Sequence, residues 1–110
     1  MRRAEIWTVA GGSGYAGKPR PAAIVQDDRF DTDSVTICPF TTDSTDAPLF
    51  RVEVNPTPSN GLQAACRLMV DRLTTVSRSK LGTRIGVLDG PDLTRLNRAV
   101  VVFLGIASAS

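Results

Sequence analysis

Asp89-Gly90-Pro91-Asp92-Leu93-Thr94-Arg95-Leu96-Asn97-Arg98-Ala99-Val100-Val101-Val102-Phe103-Leu104-Gly105-Ile106-Ala107 is the stretch on which the fold turns. Leu93, Leu96, Val100, Phe103, Leu104 and Ala107 recur at helical spacing and give the segment one apolar face. Asp89 or Gly90 caps its start, Pro91 suits the first turn, and Asp92 meets the positive end of the helix dipole. Before this point the period is different. Thr83 to Leu88, Leu49 to Val54, Ser34 to Phe40, Pro21 to Gln26 and Arg2 to Val9 read as short strands. Ala65 to Asp71 reads as another, ending near Thr74-Thr75-Val76. Between them lie a polar connection at 27–31, a turn-rich break from Asn55 to Leu62 with two prolines, and one helical turn at Ser77 to Leu81. A loop from Ala10 to Pro19 carries Gly11, Gly12, Gly14 and Gly17. Strands followed by one amphipathic helix predict a mainly β chain with a C-terminal α-helix, a small bent sheet or barrel covered on one side.

The length of 110 residues fits one domain, 1–110. A chain of this size buries about two-thirds of its unfolded surface, enough for a core without disulfides. Cys38 and Cys66 are each beside apolar residues and read as small buried hydrophobes; their spacing matches no zinc motif. The start, Met1-Arg2-Arg3-Ala4-Glu5, has no apolar stretch of signal-peptide type. The run Ala99 to Ala107 is too short to span a bilayer, so the expectation is a cytoplasmic protein without membrane association. A net charge of +2 does not announce a nucleic-acid binder; the placement of arginines matters more. The chain has no histidine. That excludes Ser-His-Asp and Cys-His triads, His-ligated metals and two-histidine acid–base schemes. Any proton transfer must run through carboxylates, hydroxyls, lysine, arginine or water. No cofactor and no metal site are expected.

Five segments in order carry a resemblance. They are Arg3-Ala4-Glu5-Ile6-Trp7; Lys18-Pro19-Arg20-Pro21-Ala22-Ala23-Ile24-Val25-Gln26; Ile37-Cys38-Pro39-Phe40-Thr41; Asp71-Arg72-Leu73-Thr74-Thr75-Val76; and Leu96-Asn97-Arg98-Ala99 onward. Together they resemble the MazF/PemK family of toxin–antitoxin ribonucleases. The resemblance implies an SH3-like small barrel, a homodimer with an RNA groove at its interface, and a cognate antitoxin whose disordered tail occupies that groove. It also implies metal-independent, sequence-specific cleavage of single-stranded RNA by 2'-hydroxyl attack, which would inhibit translation and growth. The chain departs from the family pattern at Ala4, where the family has glycine, and at Leu73-Thr74. One family branch has an arginine where this chain has Met69, so the branch built on the first arginine and the threonine fits better.

Metal-free cleavage must stabilise a crowded phosphorane, and a guanidinium fork matches its oxygens while staying charged. Arg20, between the glycine-rich loop and a strand, is the candidate for this task, and Thr41 is a candidate donor to the same phosphate. Asp71 is read either as a base or base-contacting residue or as a salt bridge or turn cap. Lys18, Arg72 and Arg78 are candidates to neutralise RNA phosphates, and Tyr15 to stack on a base. Trp7 reads as core before stacking platform, Glu5 as structural or solvent-facing, and Thr42 as a turn residue. The glycines form no P-loop, since no Gly-Lys-(Ser/Thr) follows. Two other classes compete. A non-enzymatic toxin similar to CcdB, which binds DNA gyrase, would carry Trp-Gly-Ile at the helix end; here Gly105-Ile106 is present without the tryptophan. A bare SH3-like interaction module would need an exposed aromatic groove, and six aromatic residues are few for that.

Overall fold

The structure is a computed structural model and describes residues 1–10 and 18–107. Its strands are β1 (Glu5–Val9), β2 (Arg20–Ile24), β3 (Ser34–Thr41), β4 (Arg51–Val54), β5 (Cys66–Met69), β6 (Thr74–Ser77) and β7 (Leu81–Val87), followed by helix α1 (Gly90–Phe103). Short 3-10 turns cover Val70–Arg72 and Arg78–Lys80. The second is the helical turn expected there. The expected fifth strand is divided: Val70, fully buried, donates its N–H to the Phe50 carbonyl at 2.9 Å, and the chain bends into β6 instead of running straight on.

All ladders are antiparallel, in the order β4-β5-β3-β2-β1-β7, with β6 also on β3. β3 organises the sheet. One edge pairs with β2; the other is shared by β6 along Ser34 to Ile37 and by β5 at Phe40 and Thr41. Because β5 and β6 are joined by a bend, the sheet folds about β3 and both of its faces bury side chains. Val35 and Ile37 join Val9, Ala22 and Ile24 on one face. Cys38 and Phe40 join Ile6, Leu68 and Val54 on the other, under α1. Cys38 and Cys66 are free and buried, and burial pushes their thiols up to about 12 and about 11, so both behave as small hydrophobes, as expected.

Asp89 is the helix cap, its carboxylate accepting the Asp92 N–H at 3.0 Å. The apolar stripe is buried only in its first part. Leu96 and Ala99 are sequestered, with Leu93 and Val100 packed against them. Phe103 meets Phe50 at 6.0 Å between ring centroids yet stays 45% exposed; Leu104 and Ile106 are 55% and 72% exposed. No helix among the described residues is long and apolar enough to cross a membrane.

The mainly β architecture with one C-terminal helix is as expected, but the sheet does not close into a barrel. β4 and β7 end the pairing path, with no ladder between them among the described residues. The free edge of β7 is covered by the turn after β4: the Val87 N–H donates to the Ser59 carbonyl at 2.9 Å. The turn backbone lies so close that a Cβ on Gly61 would sit 2.0 Å from the Ile85 carbonyl oxygen, and one on Gly86 would be 2.3 Å from the Asn60 carbonyl carbon. Gly61 also has φ +71°, so glycine is needed there on both counts.

Ala4, which stands where the resemblance would place a glycine, has a left-handed backbone. Its φ is +75°, and it is held there by its N–H donating to Ile24 O and its carbonyl accepting from the Leu88 N–H, both at 2.9 Å. These bonds join the start of β1 to β2 and to the end of β7. A Cβ in this conformation costs about 1–2 kcal/mol, borne by the surrounding ladder.

Candidate active site

The β2–β3 ladder pairs Ile24 with Ile37, Ala23 with Cys38 and Ala22 with Pro39. Extending that register two residues toward the strand ends sets Arg20 opposite Thr41, with both side chains leaving the same face. Both line one cleft of about 480 Å³, together with Thr42, Leu62, Gln63 and Ala64. The Thr41 hydroxyl accepts the Asp43 N–H at 3.1 Å, so its own hydrogen is left to donate into the cleft. A second, smaller cavity of about 260 Å³ shares Arg20, Pro21 and Phe40 with the first and is also lined by Arg72 and Thr74. Arg20 is therefore the common wall of two depressions at the end of β2. Among the described residues, no carboxylate lines either one. Arg20 and Arg72 thus bring two guanidinium groups to adjoining cavities.

The structure brings Arg20 and Thr41 into one cleft, and Arg20 and Arg72 into the smaller cavity beside it. Lys18 is exposed two residues before Arg20 but lines neither cavity. Tyr15 and the four loop glycines lie outside the described residues. Arg78 is elsewhere: it follows Ser77, which pairs with Ser34 at the far end of β3, and it is bound to Asp31 at 2.6 Å. With seven residue steps from Ser34 to Thr41, that is roughly 20 Å from the cleft along the strand.

Of the two readings of Asp71, a base or base-contacting residue and a salt bridge or turn cap, the geometry bears on the second. Asp71 lies just after β5, lines neither cavity, and is clasped in a bidentate pair by Arg51, Nε to Oδ1 at 2.7 Å and Nη2 to Oδ2 at 3.0 Å. The hydrogen bonds and charge of Arg51 hold the Asp71 carboxyl below the usual carboxylate range, against a smaller opposing effect of burial. A carboxylate with both oxygens engaged and a lowered pKa is a weak proton acceptor; the pair fastens β4 to the 3-10 turn. Sequence reading offered a salt bridge as one alternative but had no means of finding Arg51, 20 residues away.

Glu5 is structural, as read. Burial raises its pKa, but bonds from the Arg2 N–H (2.7 Å) and the Trp7 indole (3.1 Å), with Arg84 at 2.8 Å, bring it below its ordinary value. Trp7 packs on the second core. Thr42, read as a turn residue, lines the cleft.

The wall facing Arg20 and Thr41 escaped sequence reading, beyond its recognition as a turn. It is Gly61-Leu62-Gln63-Ala64, at the end of the Asn55–Leu62 turn. Fully buried Asn60 holds it: its Oδ1 accepts the N–H groups of Thr57 (3.1 Å) and Leu62 (3.0 Å), and its amide donates to the Asn55 carbonyl at 2.9 Å. The Asn-Gly pair signals a turn, but not which wall the turn becomes.

Comparison with known proteins agrees with this architecture. The family described as PemK-like, MazF-like toxin of type II toxin–antitoxin system matches residues 2–104. A protein of Mycolicibacterium smegmatis (strain ATCC 700084 / mc(2)155) named probable endoribonuclease MazF is 56% identical over 108 residues, covering 97% of this chain and 99% of its own. Among solved structures, a mycobacterial endoribonuclease in complex with its cognate antitoxin superposes with a TM-score of 0.77 at 22% identity, covering 97% of both chains. Mycobacterium tuberculosis toxin MazF-mt6 gives 0.76 at 24%, covering 92% of this chain and 96% of its own. A MazE–MazF structure from Deinococcus radiodurans gives 0.79 at 17%, covering 97% and 98%. At these identities the solved structures speak for the fold alone. The match along nearly the whole sequence, with the 56% identical relative, establishes that this chain belongs to the PemK-like, MazF-like toxins of type II toxin–antitoxin systems.

Proposed function

We propose that the chain is a toxin endoribonuclease that cuts single-stranded RNA without a metal, using the substrate's own 2'-hydroxyl. The observation that supports this reading is that Arg20, at the start of β2, and Thr41, at the end of β3, line one cleft. In it, the 2'-oxygen attacks phosphorus and the P–O5' bond breaks, giving a 2',3'-cyclic phosphate and a 5'-hydroxyl. Arg20 spans the non-bridging oxygens as charge grows on them, and the Thr41 hydroxyl donates to the same phosphate. Water in the cleft takes the 2'-proton and supplies the one needed by the 5'-oxygen. Arg72 holds a neighbouring phosphate, with Lys18 adding charge near the strand entrance. Asp71 has a positioning role through Arg51. The reaction takes place in the cytoplasm and lowers translation by destroying RNA.

The same reading includes two protein partners. The exposed apolar end of α1, at Phe103, Leu104 and Ile106, is the surface for a second copy, giving a homodimer. A cognate antitoxin neutralises the toxin; the support is family membership and fold neighbours solved with antitoxins. A gyrase-binding toxin similar to CcdB has less support. The segment from Phe103 to Ala107 lacks the tryptophan, and the 56% identical relative is named an endoribonuclease.

Purified protein incubated with single-stranded RNA and excess chelator is expected to yield cyclic phosphate and 5'-hydroxyl ends. Products with 5'-phosphates, or cleavage that stops with chelator, would overturn the proposed chemistry. Thr41→Val, which removes the hydroxyl but keeps the shape, is expected to slow single-turnover cleavage about 10- to 100-fold, the worth of one hydrogen bond to a charged group.

A further inference from the structure

The wall opposite Arg20 has properties the phosphate chemistry does not use. Asn60 pins its turn, and Gly61 is pressed against Ile85, with no room there for a Cβ. Leu62 packs into the main core. The next residue, Gln63, is thus carried on a fixed backbone yet is itself exposed. Its amide makes no hydrogen bond to a described residue and is the one amide side chain among the described residues lining the cleft. Two of the threonines in the lining are engaged: Thr8 accepts the Thr83 N–H at 2.8 Å, and Thr41 the Asp43 N–H.

A neutral amide adds little to phosphate binding, since it neutralises no charge. It offers a donor and an acceptor side by side, the pattern that matches the edge of a base. Unpaired RNA exposes those edges, and the fixed backbone confines the ordering cost of reading them to the Gln63 side chain itself. Resting on the ribonuclease reading, we propose that Gln63 is a specificity-determining residue: it hydrogen-bonds the edge of a nucleotide base next to the phosphate held by Arg20 and Thr41. One position of the cleavage motif is then set by this side chain, while the cut itself is made across the cleft.

The test is a cleavage profile over a randomised single-stranded RNA pool, reading the ends produced by the wild type, Gln63→Ala and Gln63→Glu. Gln63→Ala is expected to relax base preference at one position beside the cut by about 5- to 100-fold, the discrimination of a paired base contact. Other positions keep their preferences. Gln63→Glu, which can only accept, is expected to change the favoured base at that same position. Profiles unchanged in both variants, or cleavage that falls equally for every sequence, would overturn the assignment. A wild type that cuts no RNA would instead remove the ribonuclease reading on which it rests.

Discussion

The cleft at Arg20 and Thr41 and the groove beneath α1 are of similar size, about 480 and 440 Å³. The groove has more arginines in its lining: Arg51, Arg67, Arg95 and Arg98. Yet three of them are already answered by carboxylates. Arg51 is bidentate on Asp71, Arg67 is 3.4 Å from Glu53, and Arg95 pairs with Asp92. Asp46 and Glu53 line the same groove. Among the described residues, the cleft and its smaller neighbour have fewer arginines and no carboxylate in their lining. The difference teaches that arginine density alone does not mark a phosphate site. In the groove Arg51, Arg67 and Arg95 are tied to local acids, and those pairs fasten the fold.

The strongest way to break this contrast is to remove one arginine from each region. Arg20→Ala is expected to lower RNA cleavage by about 100- to 1,000-fold in single-turnover assays, with an unchanged far-UV spectrum and melting midpoint. Arg98→Ala, on the exposed rim of the groove, is expected to leave cleavage within about twofold. Equal losses would mean that the groove, too, meets the scissile RNA.

A second comparison concerns stability. Arg51→Ala is expected to cost about 1–3 kcal/mol in urea unfolding at neutral pH, because it leaves the partly buried Asp71 carboxylate without its fork. The sign of the pH dependence follows from Asp71, whose pKa is lowered in the folded state. Its contribution is present above the unfolded pKa of about 4 and is lost as pH falls through the folded value. The stability gap between wild type and Arg51→Ala should therefore narrow on acidification below about pH 4. A gap independent of pH would show that lost packing, not the ion pair, causes it.

The smallest effect is at the start of β1. Ala4→Gly removes a Cβ from a left-handed backbone, and it is expected to raise stability by about 0.5–1 kcal/mol, the relief of strain less the added freedom of the unfolded chain. A destabilised variant would mean that the methyl group's place in the core outweighs the strain.

Much of the fold was legible because its signals are local. The 3.6 period of Leu93, Leu96 and Val100, the Asp89 cap, the β-branched alternation of β3 and the Asn55–Leu62 turn each lie within a few residues. Arg20 and Thr41 were legible as residue types, and their motifs carried the family resemblance. The pairing of Arg51 with Asp71, the distance of Arg78 from the cleft and the place of Gln63 in its wall were not, since each depends on residues far apart in the chain. Apolar spacing likewise marked the whole α1 stripe alike, though its outer end is exposed.

Composition and short-range pattern were enough to establish strands before a helix, the absence of any imidazole, and an arginine and a threonine at the ends of two strands. It took the antiparallel register of β2 on β3 to put that arginine across from that threonine, and the bend of β5 into β6 to carry Asp71 away from them. Hydrogen-bond ladders join residues by strand order and register rather than by chain distance. A sequence can name the groups for a reaction while the sheet alone sets which of them meet.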